Sequence, residues 1–178
     1  MPRTTSIPCL PAGACVSLIG MAGTGKSTVG RILAALTGLT HIDTDELIEQ
    51  THGSILQAVV DRLGREAFIA EEERLIAALE ARDAVISTGG SVVYGPRAVA
   101  RLRALGPVVW LAAERDIILA RVARHPERGL AIAPGQSLAS LLAEREPLYR
   151  AAADLVVDSG GPDPGTCARE ILRLIAAS

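Results

Sequence analysis

Aromatic side chains are scarce in this 178-residue chain, which has one Phe, one Trp and two Tyr. A core must therefore come from Ala, Leu, Val and Ile, and the ring platforms on which proteins stack single-stranded nucleic acid are missing. A formal net charge of −2 gives no basic field for a phosphate backbone, so no nucleic-acid partner is expected. No run of about 18 apolar residues occurs, so no membrane partner is expected either. The opening MPRTTSIPCLPAGA lacks the apolar stretch of a secretory signal. Cysteine is limited to Cys9, Cys15 and Cys167, an odd number without metal-like spacing. Cys15 reads as a small core residue, and a reducing, cytoplasmic setting is expected.

Apolar residues make up 49% of the chain, enough for one buried core in one domain. Residues 1–14, with their Pro, Thr and Gly, read as a flexible tail, and 15–178 as the domain. Short apolar runs at CVSLIG, Leu39–Asp43, AVIS (84–87), PVVWLAA and Leu155–Val157 read as strands, CVSLIG as a buried one. Between them lie stretches of helical spacing, such as Lys26–Thr37 with Gly38 as its cap and a helix capped by Ser54. Strands alternating with helices predict an α/β domain with a parallel sheet covered on both faces. The Pro- and Gly-punctuated segment at about 125–136 has no periodicity and reads as a lid.

Gly20-Met21-Ala22-Gly23-Thr24-Gly25-Lys26-Ser27 fits G-x-x-x-x-G-K-[ST] between a strand and a helix. Curled glycine backbone turns successive N–H groups toward phosphate oxygens, and the helix start adds partial positive charge. The expected nucleotide contacts are Met21, Ala22, Gly23, Thr24, Gly25, Lys26, Ser27 and Thr28. Lys26 would reach the β- and γ-phosphates, and the Ser27 hydroxyl would ligate Mg²⁺. The cofactors expected are ATP and Mg²⁺. No guanine-reading Asn/Thr-Lys-x-Asp segment occurs, and the chain is too short for a motor, so a small-molecule kinase is the reading.

Two carboxylates, Asp43 and Asp45, end the second strand, where ligands of parallel sheets sit. On extended backbone they would point the same way, one toward Mg²⁺ and one toward the attacking hydroxyl. The other reading is a helix cap before ELIEQ. Ser87-Thr88-Gly89-Gly90-Ser91 ends the third strand, either as a plain turn or as backbone approaching a substrate.

In order, the P-loop, DTDELIE, ISTGGS, an Arg-bearing lid and Glu144-Arg145-Glu146-Pro147-Leu148-Tyr149 resemble the shikimate kinases, from about Cys15 to Ile175. The resemblance implies a P-loop five-stranded parallel sheet of order 2-3-1-4-5 with helices on both faces. It also implies roles: Asp45 as base on the substrate hydroxyl, Asp43 near Mg²⁺, Gly89 and Gly90 on the substrate, Arg128 of the lid on the transferring phosphate. Arg145 would bind the substrate carboxylate, and Arg121 and Pro164 would sandwich adenine. Without the resemblance, those arginines read equally as solvated helix faces.

Three positions depart from the family pattern. Ile69, in Gly64-Arg65-Glu66-Ala67-Phe68-Ile69, stands where the family has a carboxylate-gripping arginine. This leaves Glu72 without that partner, and Arg65, about a helical turn back, as a substitute. Ser91 replaces a third glycine, and Arg128-Gly129-Leu130 replaces Arg-Pro-Leu. Losing a charge-assisted contact costs about 1.5–3 kcal/mol. With Ile69 and Ser91 as pocket residues, the expected acceptor is a small hydroxy amino acid, homoserine first, used in amino-acid biosynthesis by a monomer. Shikimate is the alternative acceptor, and a non-catalytic ligand-sensing domain is the remote one.

Overall fold

The computed structural model describes residues 10–124 and 129–178. Five parallel strands, β1 (Val16–Ile19), β2 (Thr40–Asp43), β3 (Ala84–Ser87), β4 (Val108–Ala112) and β5 (Leu155–Asp158), form one sheet in the order β2-β3-β1-β4-β5. The helices are α1 (Lys26–Thr37), α2 (Thr44–His52), α3 (Leu56–Leu63), α4 (Arg65–Ala77), α5 (Pro96–Leu105), α6 (Arg115–Ala123), α7 (Leu138–Ala152) and α8 (Pro164–Ala177), with a short 3-10 helix at Val92–Tyr94. The expected α/β class and strand order are what the chain adopts.

Period-two alternation along the strands divides the core into two layers. Val16, Leu18, Val85, Val109 and Leu111 face one way, onto Val29 and Leu33 of α1 and Ile171 and Ile175 of α8. Ile19, Ala84, Ile86, Val108 and Trp110 face the other way, onto Ile76, Ala98, Leu102, Leu141 and Tyr149 from α4, α5 and α7. Both faces are therefore apolar, which is why these strands read as continuous runs. A third, smaller cluster of Ile48, Val59, Val60, Phe68 and Ala131 packs α2, α3 and α4 together beside the β2 edge.

Local boundaries follow the chain's punctuation. Gly38 ends α1 with φ 74°, and Ser137 caps α7 by accepting from the Ser140 N–H. The expected Ser54 cap is not made. Ile55 occupies the cap position of α3, and Glu49 Oε1 accepts the Leu56 N–H instead, at 2.7 Å. Of the expected tail, Leu10 packs against the α1/α8 layer and the Gly13 N–H donates to Asp83 Oδ1 at 2.9 Å.

β1 lies between β3 and β4, and chain connections leave it in both directions. The crevice of such a sheet opens at this switch point, beyond the C-terminal strand ends. The P-loop, Asp43 and Thr88 all leave the sheet at that rim.

Candidate active site

The P-loop begins at Gly20, where a Cβ would lie 2.6 Å from the Leu111 carbonyl oxygen, so only glycine lets the loop pass β4 so closely. Gly25 sits at the start of α1 with φ 87° and offers no side-chain cap. The first N–H groups of α1 are thus left for an anion to satisfy. Lys26 is the only lysine in the chain. It is buried, and its Nζ donates to the carbonyls of Gly20 (2.7 Å) and Met21 (2.9 Å), which holds the loop curled.

A cleft of about 340 Å³ opens in front of this loop. It is lined by Ala22, Gly23, Gly25, Lys26, Ser27 and Thr28 on the phosphate side. Asp43, Asp45, Phe68, Thr88, Gly89, Gly90, Ser91 and Arg145 line the opposite end. A second hollow is shared by Gly23, Thr24, Gly25 and Thr28 with Arg121, Pro162 and Pro164. The Arg121 guanidinium donates to the carbonyls of Gly23, Ser159 and Gly160, so it ties the P-loop to the β5–α8 loop. The residues expected around adenine therefore meet. Met21 does not face the cleft; its side chain is buried and its sulfur lies 3.8 Å from Arg145 Nη1.

The two aspartates share the cleft, but not as neighbours on a strand. Asp43 ends β2 and caps α2, its Oδ1 accepting the Asp45 N–H at 3.1 Å. Asp45 belongs to the first turn of α2. The capping reading and the cleft reading both hold for Asp43, since a carboxylate can accept along several directions. Ser27 and Asp43 together offer a hydroxyl and a carboxylate, oxygen donors that suit a hard divalent cation completed by phosphates and water.

Gly89 and Gly90 line the cleft, and their neighbours also require glycine there. The Gly89 N–H is already given to Thr44 Oγ1 at 3.1 Å, and the Gly90 carbonyl accepts from the Tyr149 hydroxyl at 2.5 Å. A Cβ at Gly89 would collide with Glu72 Oε1 and lie 2.8 Å from Asp45 Oδ1. One at Gly90 would lie 3.0 Å from Arg145 Nη1. Glycine here makes room for converging charged groups.

Arg145 is 1% exposed. Its Nη2 donates to the Ala131 carbonyl at 2.8 Å and its Nε to the Tyr94 hydroxyl at 3.3 Å. Ala131 belongs to the expected lid, and Gly129, Leu130 and Ala131 all line the cleft. Arg128 lies outside the described residues. Arg65 also donates to the Tyr94 hydroxyl, at 3.1 Å, and to Glu144 at 2.7 Å. Both guanidiniums lie over the Tyr94 ring, at 5.1 and 5.3 Å from its centre.

Sequence reasoning passed over Tyr94 and Tyr149 as site residues. Their signal was present: they are the two tyrosines of a chain with almost no rings. Glu72 is buried, and the Ser91 hydroxyl donates to its Oε2 at 2.5 Å. Burial above all, with Asp45 adding to it, holds the Glu72 carboxyl up at about 7 against the downward pull of Ser91, Arg145 and Lys26. Ile69 does not line the cleft. It packs against the cluster of Ile48, Val59, Val60 and Phe68, so it is not the added apolar wall on which the choice of homoserine relied.

Residues 22–176 match the family model described as shikimate kinase. The chain is 40% identical over 163 residues to the shikimate kinase of Halorhodospira halophila, covering 90% of this chain and 92% of that one. It is 40% identical over 169 residues to that of Gloeobacter violaceus, covering 93% and 94%. Among solved structures, a shikimate kinase from Acinetobacter baumannii in complex with shikimate superposes with a TM-score of 0.82 at 30% identity, covering 92% and 93%. These relatives overturn the expectation of homoserine. A chain this similar over almost its whole length to proteins named for shikimate does not support a different acceptor, and the displaced Ile69 removes the physical argument for one. A P-loop cleft with carboxylates and a buried arginine at its far end, on this sheet order and with these relatives, makes the chain a small-molecule kinase, an ATP-dependent phosphotransferase acting on a hydroxyl, that belongs to the shikimate kinase family.

Proposed function

We propose that the protein phosphorylates shikimate, moving the γ-phosphoryl group of ATP onto one ring hydroxyl. The observation that carries this reading is 40% identity, over nine-tenths or more of both chains, to proteins named shikimate kinase. The cleft supports it with a carboxylate, Asp45, and a buried arginine, Arg145, at the end opposite the P-loop.

In this mechanism the P-loop N–H groups and Lys26 hold the β- and γ-phosphates, and Arg121 and Pro164 border the adenine. Ser27 and Asp43 would hold Mg²⁺, which supplies charge neutralisation at the phosphates when bound. Arg145 binds the acceptor carboxylate and so orients the ring. Asp45 accepts the proton of the attacking hydroxyl as its oxygen bonds to the γ-phosphorus and the bond from that phosphorus to the bridging oxygen breaks, releasing ADP. The resemblance gives Arg128 the role of neutralising the transferring phosphate, and Gly129, Leu130 and Ala131, which line the cleft, help exclude water that would otherwise be phosphorylated. Ile69 acts from behind the cleft, whereas Ser91 lines its acceptor end and holds Glu72.

A coupled assay of ADP release against shikimate, homoserine, serine and threonine tests the reading. Shikimate should be turned over at ordinary enzyme rates, of order 1–10³ s⁻¹. Background rates with shikimate at saturating ATP would reject it.

A further inference from the structure

Glu72 is unusual among the acids of this protein. It lies in the middle of α4 with 1% of its surface exposed, directly behind the acceptor end of the cleft. Its Oε2 is held by Ser91, whereas its Oε1 is buried and has no hydrogen-bond partner. That free oxygen and Asp45 Oδ1 converge on the same point above Gly89. A buried carboxylate with half its acceptors unsatisfied is costly as an anion, and costlier beside a second carboxylate. A proton on Oε1 relieves both problems.

The groups facing Glu72 come from several elements. Asp45 of α2 opposes its charge, while Lys26 of α1 and Arg145 of α7 favour it. Tyr149 of α7 is also within electrostatic reach. On the other packed helices, Arg97 of α5 pairs with Glu73, and Arg62 of α3 bonds His52. An acceptor carboxylate seated on Arg145 cancels one of the two cations that hold Glu72 ionised and adds a negative charge nearby. Both changes favour the protonated acid.

We propose that Glu72 is a positioning residue through which the acceptor end of the cleft takes up a proton when the anionic acceptor binds, leaving Asp45 to serve as base. This rests on the reading of the acceptor as shikimate, a carboxylate. With the free carboxyl titrating at about 7, uptake is largest above neutrality, where Glu72 starts ionised, and vanishes well below it, where Glu72 starts protonated. By linkage, acceptor affinity falls as pH rises through that range, by up to about tenfold for each unit that occupancy raises the Glu72 pKa.

Titration calorimetry of shikimate into the ADP-loaded enzyme at pH 7.5, in two buffers of different ionisation enthalpy, counts the protons. The wild type should take up roughly half a proton per site, and Glu72→Gln, which is permanently neutral, close to none. The KM for shikimate should rise about three- to tenfold from pH 6 to 8.5 in the wild type while the KM for ATP holds steady; in Glu72→Gln both should be flat. The wild-type measurements stand without the variant should it fail to fold. Binding without proton uptake, or equal uptake in Glu72→Gln, overturns the inference. No shikimate binding at all overturns the acceptor reading and the inference with it.

Discussion

The Tyr149 hydroxyl donates to the carbonyl of Gly90 at 2.5 Å, and the Tyr149 ring stacks on Trp110 with centres 6.0 Å apart. One side chain of α7 thus fastens the turn after β3, at the acceptor end of the cleft, to the aromatic packing over β4. Removing the hydroxyl leaves the ring in place and a buried carbonyl without its donor, a loss of about 1–3 kcal/mol. Tyr149→Phe should therefore melt several degrees lower, at about 2–4 °C per kcal/mol for a chain of this size. It should also raise the KM for the acceptor while leaving that for ATP alone. An unchanged melting temperature would mean that this bond is not made in solution.

Since Lys26 is the only lysine in the sequence, chemistry can report on the phosphate end directly. An acyl-phosphate derivative of ATP should acylate Lys26, and excess ATP should protect it. Peptide mapping that finds no modified Lys26, or modification that ATP does not prevent, would argue against a nucleotide at the P-loop. Lys26→Ala should abolish transfer for the same reason.

Asp45→Asn keeps the shape of the side chain while removing its basicity. A general base contributes typically about 10²–10⁴-fold, so kcat should fall within that range while ATP affinity, measured by titration, stays within about twofold. If only ATP affinity moved, the role of Asp45 would be structural.

Ile69 provides the converse case. Because it packs on Ile48, Val59, Val60 and Phe68, Ile69→Ala should cost about 1–3 kcal/mol, below the usual core value because the site is only partly buried. It should change the acceptor KM less than about threefold. Denaturant unfolding and steady-state kinetics on the same preparation separate the two. A large KM change at unchanged stability would put Ile69 back in the pocket.

Arg145 joins the acceptor end to the segment 129–136 through the Ala131 carbonyl. Arg145→Lys keeps the charge but cannot hold Ala131, Tyr94 and a carboxylate together, because an ammonium lacks the planar fork. Its acceptor KM should rise about ten- to a hundredfold, the value of a lost charge-assisted contact. Near-normal kinetics would mean that the carboxylate is held elsewhere, with Arg65 the next residue to substitute.

Local chemistry was legible along the chain. The P-loop announced itself because loop, lysine, hydroxyl and helix start are contiguous, and their geometry is set by backbone conformations only glycine adopts easily. The strands were legible because a parallel sheet covered on both faces leaves runs of apolar residues, most fully buried in β1, β3 and β4, and the end of Lys26–Thr37 was marked by Gly38. The acceptor end was legible only in part, since it is assembled from α2, the turn after β3, α4 and α7, segments far apart in sequence. The order of residues could say that Ile69 replaces an arginine, but not that its side chain packs into a cluster beside the cleft. The rotation of α4 and its packing against α2 and α3 set that direction. Nor could sequence order show that Ser91 and Glu72 meet, that Gly89 is glycine to make room for two carboxylates, or that two arginines share Tyr94. Side-chain direction, burial and hydrogen-bond partnership between distant segments arise when the layers close, and the electrostatics of the acceptor site depends on all three.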